Sequence, residues 1–196
     1  VIVDNLSNSR EDVLDGIEKI TGIRPAFENV DLRDYSATEG VFKKYPKISG
    51  IIHFAASKAV GESVQKPLLY YHNNIVSLIN LLDLMPKYDV KGIIFSSSCT
   101  VYGQPDVLPA TEETPIKTAE SPYGNTKQIN EEIIMDTVKS GSPIKSIILR
   151  YFNPIGAHPT AHIGELPLGV PQNLIPFLTQ TAIGIREKLS VFGDDY

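Results

Sequence analysis

A chain of 196 residues with 42% hydrophobic and 21% charged side chains can bury one sizeable core and is composed as a soluble globular domain. Its net charge of −5, with no basic stripe, argues against a nucleic-acid surface, and no apolar run approaches membrane-spanning length. Cys99 is the only cysteine, so no internal disulfide can form and a reducing, cytoplasmic setting fits; the N-terminus lacks the basic start and apolar stretch of a signal peptide.

Val1-Ile2-Val3, followed by Asp4, reads as the tail of a buried strand, and a chain opening inside a strand reads as truncated. In dinucleotide-binding folds an acid at the end of the second strand bonds the adenosine ribose, about 20 residues after a glycine-rich phosphate loop. Here that loop would lie upstream of residue 1. The plainer role for Asp4 is a strand-end turn acid. Asn5-Leu6-Ser7-Asn8-Ser9 can form the ribose-side loop and cap a helix from about Arg10 to Ile20. A short strand is expected over Phe27–Val30, closed by Asp31-Leu32, then a helix from about Ser36 to Tyr45.

Gly50-Ile51-Ile52-His53-Phe54-Ala55-Ala56 is a compact apolar strand whose small final residues admit a ligand close to the backbone. His53 within it reads as a packing histidine. Lys58 is placed to reach a phosphate or ribose, though a solvated loop lysine is the default. A helix is expected over Val64–Leu84, with Pro67 near its start and Asn73 and Asn74 as polar residues inside it. Gly92-Ile93-Ile94-Phe95 is another buried strand and ends in Ser96-Ser97-Ser98; hydroxyls there sit where open α/β sheets bind ligands. The connection 103–122 is longer than most, which is often a mark of function.

SPYGNTKQINEEIIMDTVK, Ser121 to Lys139, carries a helix cap at Ser121, a proline in the first turn, and Ile129, Ile133, Ile134 and Val138 at helical spacing. Tyr123 and Lys127 lie four apart and share one face. A phenol has a free pKa of about 10, so bringing it near neutral takes roughly 4 kcal/mol of preference for the phenolate. A lysine, helped by a cationic cofactor in a dry site, can supply that. The pair arises often enough by chance to prove little alone. Beyond it, Ile144–Phe152 is a further strand ending in Asn153-Pro154, the segment from Gly156 to Pro171 is irregular, and a helix is expected over Asn173–Arg186. His158 and His162 are four apart, but Pro159 between them argues against a helical metal site, and no metal is expected. Strands near 1, 27, 50, 92 and 145, separated by helices, predict an α/β, doubly wound, Rossmann-like parallel sheet with helices on both faces.

The segments KAVGESVQKP, SSSCTVYG, SPYGNTK and YFNPIGAHP together resemble the UDP-glucose 4-epimerases of the extended short-chain dehydrogenase/reductase superfamily, and the similarity runs along the whole chain. The resemblance implies an NAD-binding part over 1–153 and the start of a sugar-nucleotide region over 154–196, each incomplete. It implies that Asp4, Asn5, Leu6, Ser7, Asn8 and Ser9 hold NAD, that Asp31 and Leu32 bracket its adenine, and that Phe54, Ala55, Ala56, Ser57, Lys58 and Asn73 line its diphosphate and ribose. Ser98, Tyr123 and Lys127 match the catalytic triad, also meeting the cofactor, with Ser98 and Tyr123 meeting substrate; Phe152 matches a nicotinamide-pocket residue. Asn153, Asn173, Leu174, Ser190, Val191 and Phe192 match the UDP-sugar side. The implied reaction interconverts UDP-galactose and UDP-glucose through a 4-keto sugar in a homodimer.

The glycine-rich loop and the C-terminal part of the pattern are missing, and Ala56-Ser57 and Cys99 replace the expected Gly-Leu and Ala, which are small changes. Three alternatives stay open. A nucleotide-sugar 4,6-dehydratase needs an acid pair after the strand serine, where Cys99-Thr100 stands. A UDP-glucuronate epimerase or decarboxylase would be told apart by the missing C-terminal part. A non-catalytic NAD-binding regulator would typically have lost the tyrosine or lysine, and both are present.

Overall fold

In the computed structural model, residues 1–191 and 193 are described. The order is β1 (Ile2–Asp4), α1 (Val13–Thr21), β2 (Phe27–Asn29), α2 (Tyr35–Lys44), β3 (Gly50–His53), α3 (Val60–Gln65), α4 (Pro67–Lys87), β4 (Gly92–Ser98), a 3₁₀ turn (Cys99–Tyr102), α5 (Pro122–Lys139), β5 (Lys145–Tyr151) and α6 (Leu174–Ala182). The strands fall into a pair, β1-β2, and a three-stranded sheet ordered β3-β4-β5. In the pair, the Ile2 N–H donates to the Ala26 carbonyl (2.8 Å) and the Val30 N–H to the Asp4 carbonyl (3.2 Å). Both partners advance together along the chain, which makes the pair parallel. The larger sheet is parallel too, with Ile52, Ile94 and Ile147 in register and Ile51 beside Ile93. Parallel strands alternating with helices make the fold Rossmann-like, as the alternation of strand and helix predicts.

Two compact units divide the chain: Val1–Ile2 with Leu6–Phe27 and the stretch from Asn153 onward, and Val3–Asn5 with Glu28–Phe152. The second holds the main core, in which Leu78, Leu81, Leu82, Leu84 and Met85 of α4 and Ile134 of α5 close over Ile93 and Phe95 of β4, with Phe42 of α2 alongside. These residues recur every three or four positions on the helices and every second position on the strand, so one face of each element is committed to the interior. Ile52 and Ile147 point away from this core and are 63% and 57% exposed. In the first unit, α1 brings Gly16 against the backbone of His162, where any Cβ would collide.

The helix expected over Val64–Leu84 is in fact two. Lys66 (φ −131°, ψ 58°) leaves the helical region and caps α4 at Pro67. The proline ring disfavours a helical residue before it and removes the N–H that a continuous helix would use. Likewise the 3₁₀ turn after Ser98 has no clear periodic signal; the Ser98 hydroxyl creates it by accepting from the Thr100 N–H (3.3 Å).

Candidate active site

Helix α5 starts where the sequence says it must: the Ser121 hydroxyl accepts from the Gly124 N–H at 3.1 Å, and Pro122 needs no donor partner in the first turn. Gly124 lets that turn approach closely, since a Cβ there would stand 3.3 Å from the Thr100 carbonyl oxygen. The outcome is that Tyr123 and Lys127 face the carboxyl end of β4. Lys127, 3% exposed, donates from Nζ to the Ser96 carbonyl at 2.7 Å. Its Nζ also lies 4.9 Å from the centroid of the Phe95 ring and 5.8 Å from that of Tyr123. Ser98 ends β4 nearly buried, and its hydroxyl bonds the Tyr123 side chain.

The electrostatics depart from the simple expectation that Lys127 brings the phenol toward neutral. Desolvation pushes Tyr123 above its ordinary value, with the Ser98 hydrogen bond pulling the other way and Cys99 adding a small upward push. Lys127 itself is pushed down to about 8 by burial, which Glu131 opposes. Burial thus keeps the phenol neutral and weakens the lysine's hold on its proton, and a further positive charge beside the phenol is needed to ionise it.

The loop after β3 is built by side chains of α4. The Ser57 N–H donates to Asn74 Oδ1 (2.8 Å), Asn74 Nδ2 returns a bond to the Ser57 carbonyl (3.0 Å), and Asn73 Nδ2 reaches the Ser57 hydroxyl at 3.2 Å. Asn74 Nδ2 also bonds Thr126 Oγ1 on α5 (3.1 Å), tying this loop to the helix of Tyr123 and Lys127. The Tyr70 hydroxyl accepts from the Ala59 N–H (3.1 Å) and donates to Glu62 (2.9 Å), closing the loop's far end. Phe54 and Ala55 are exposed, Ala56 and Ser57 half-buried and Lys58 exposed, so the loop presents small residues and backbone outward. Phe54 stacks at a tilt 6.1 Å from Tyr151, and Phe152 follows with its ring exposed.

Asp4 stands half-buried at the end of β1, and Asn5 Nδ2 donates to Asp31 at 3.3 Å. Asp31 also takes bonds from the Arg33 guanidinium and backbone, which hold its carboxyl well below the ordinary carboxylate range. The Leu32 carbonyl accepts from Asn80 of α4 (2.8 Å). Leu6 turns the following loop at φ 55°, and Ser7, Asn8 and Ser9 complete it. Of the remaining positions, Asn173 caps α6 and bonds Glu165 (2.6 Å), while Asn153, Leu174, Ser190 and Val191 are exposed in the first unit. Phe192 lies outside the described residues.

Sequence reasoning gave Asn74 no role beyond that of a polar residue inside its helix and missed Tyr70, Gln128 and Glu131. Gln128 pins the long 103–121 connection through the carbonyls of Val101 (2.9 Å) and Lys117 (2.5 Å). Polar residues on the inward face of α4 and α5 were the available signal. His158 bonds Thr160 within a turn, and no cluster of metal-ligating side chains is gathered among the described residues.

A parallel sheet with Ser98 at the end of β4, Tyr123 and the buried Lys127 of α5 facing it, and a nearby loop of small residues has the arrangement of the doubly wound nucleotide-binding class. The sequence profile of the NAD dependent epimerase/dehydratase family matches residues 1–192, and the chain belongs to that family. Among curated relatives, UDP-glucose 4-epimerase 2 of Arabidopsis thaliana is 53% identical over the whole chain and the UDP-glucose 4-epimerase of Bacillus subtilis 49%. The chain spans 56% and 57% of their lengths. A crystal structure of UDP-glucose 4-epimerase from Bifidobacterium longum in complex with NAD+ and UDP superposes with a TM-score of 0.95 at 46% identity, over 99% of this chain and 58% of that one. The Stenotrophomonas enzyme with bound NAD and formylated UDP-arabinopyranose gives 0.94 at 44%, over 100% and 57%.

Proposed function

We propose that the protein carrying this chain is a UDP-glucose 4-epimerase that interconverts UDP-galactose and UDP-glucose with bound NAD. The observation that carries the reading is the meeting of Ser98, Tyr123 and Lys127 at the carboxyl end of β4, in a chain about half identical to enzymes of that name. The C4–H of a hexose is not acidic, so inversion there requires loss of hydride. When bound, NAD supplies the acceptor for that hydride and a positive ring beside the phenol. Tyr123 would take the 4-hydroxyl proton as the C4 hydride leaves, giving a 4-keto sugar; once that sugar had turned its other face, Tyr123 would give the proton back and C4 would regain the hydride inverted. Ser98 relays or bonds the 4-hydroxyl proton, and Lys127 bonds the nicotinamide ribose while favouring the phenolate.

Asp4 through Ser9, Asp31 and Leu32 hold the adenosine half. Phe54 to Lys58, Asn73 and Phe152 serve the rest of the cofactor, and the exposed small residues and polar anchors of the 54–58 loop fit that task. Asp4 favours NAD over NADP, because a carboxylate repels a 2′-phosphate. On this reading 1–153 belongs to the NAD-binding part and 154–196 opens the sugar-nucleotide region; Asn153 at the border, with Asn173, Leu174, Ser190, Val191 and Phe192, meets the UDP-sugar. The protein acts in the cytoplasm as a homodimer. In the full-length protein, Tyr123→Phe keeps the ring's packing and removes the base. NAD stays bound, and conversion of UDP-galactose falls by at least roughly 10²-fold. Near-normal turnover in that variant overturns the mechanism; a wild-type protein that binds NAD without converting UDP-galactose overturns the activity.

A further inference from the structure

Three consecutive residues of β4 meet three residues of α5 spaced one helical turn apart. Ser98 meets Tyr123 and the Ser96 carbonyl meets Lys127. Ser97, turned to the other side of the strand, donates from its hydroxyl to Glu131 Oε1 at 2.5 Å. Glu131 is 1% exposed and Ser97 2%. On its far side Glu131 is gripped by Arg150 of β5, whose Nε reaches Oε1 at 3.1 Å and whose Nη2 reaches Oε2 at 2.8 Å. The Arg150 guanidinium in turn lies 5.0 Å from the centroid of the Tyr102 ring, in the turn that follows Ser98.

We propose that Glu131 is a positioning residue: its carboxylate, clamped between Ser97 and Arg150, fixes the end of β4 against α5 so that Ser98 and Lys127 stand in register with Tyr123. The proposal deepens the epimerase reading and rests on it for the effect on turnover. A buried carboxylate is costly unless paired and fully bonded, and here each oxygen of Glu131 has a named donor. An apolar residue would pack α5 without holding Ser97. The charge also acts on Lys127, one turn earlier, in the direction of keeping its proton. The groups facing this lysine are few. Tyr123 and Glu131 lie on α5, and the Ser96 carbonyl and Phe95 ring on β4; His53 of β3 is buried and neutral. Arg150 of β5 is neutralised by Glu131. Tyr70 of α4 and Glu62 of α3 bond each other, and Cys99 and Tyr102 belong to the turn. Removing the Glu131 charge leaves only the Ser96 carbonyl and the Phe95 ring to favour the ammonium.

The experiment uses the full-length protein. Glu131→Gln keeps the volume and one acceptor oxygen but removes the charge and sets an N–H against the Arg150 guanidinium; Ser97→Ala removes the strand's grip alone. For Glu131→Gln the expected results are a kcat lower by roughly 10- to 100-fold, the range that an ångström of misplacement costs, with KM nearly unchanged. The Lys127 titration, followed by NMR of ¹³C-labelled lysine, moves down by roughly one pH unit. Ser97→Ala lowers kcat less and leaves that titration in place. If Glu131→Gln does not fold, Ser97→Ala and Arg150→Lys are read instead, and wild-type kcat in both overturns the proposal. Wild-type kcat and an unmoved Lys127 titration in folded Glu131→Gln overturn it as well. The titration is read without substrate, so it stands even if wild-type protein fails to convert UDP-galactose, an outcome that defeats the epimerase reading alone.

Discussion

His53 shows how burial alone can set a residue's behaviour. It ends β3 beneath the Phe95 ring, 5.9 Å between centroids, and is pushed down to about 3, first by desolvation and then by the charge of Lys127. The unfolded chain binds a proton at His53 near pH 6.5, whereas the folded chain stays neutral until about pH 3. Between those values the unfolded state holds the extra proton, so stability falls as pH falls. Each pH unit inside the window removes about 1.4 kcal/mol. Chemical denaturation of the full-length protein at pH 7 and pH 5 should therefore show a loss that His53→Gln largely abolishes. An equal loss in the variant would assign the acid sensitivity to other groups. Lys127 works oppositely in range: its depressed value near 8 makes its contribution to stability improve as pH rises from about 8 toward 10.5.

Elements rather than residues decide how the strand ends are framed. The 3₁₀ turn after β4 closes at Gly103, whose φ of 59° and ψ of −130° suit only glycine. A Cβ there would also stand 2.6 Å from the Thr118 carbonyl oxygen. Gly103→Ala should cost about 1–3 kcal/mol, read as a lower denaturation midpoint with an unchanged slope. A neutral result would mean that the 103–121 connection gives way easily. Much of this framing was legible in the sequence. Ser121, Pro122 and the apolar spacing of Ile129, Ile133 and Ile134 place α5 from its residues alone, because cap chemistry and periodicity are local. The strand Gly92–Ser98 was legible for the same reason. The grip of Glu131 on Ser97 and Arg150 was not, since it joins residues 34 and 19 positions apart and leaves no periodic trace. The ionisation state of Tyr123 was hidden too: spacing reports that Lys127 is near, but not that both are desolvated. The break at Lys66 follows from Pro67, although the apolar spacing on either side has the period of one longer helix.

On the scale of the whole molecule, α4 and α5 pack on each other through Asn74, Thr126 and Asn130, and still expose apolar side chains. Leu68, Leu69 and Ile79 lie on α4, and Met135 and Val138 on α5. In the homodimer proposed above these faces meet their symmetry mates about a two-fold axis. Sedimentation of the full-length protein at micromolar concentration should give a dimer that Leu68→Lys combined with Ile79→Lys weakens. A wild-type monomer would leave those side chains without the assigned partner. The row of Ile52, Ile94 and Ile147 has a practical consequence for anyone preparing these 196 residues by themselves. With Ile52 and Ile147 at 63% and 57% exposure, that row is a sticky aliphatic strip in the isolated chain. Yield would then be governed by precipitation rather than by folding, and adding acidic residues along that strip would be the first remedy.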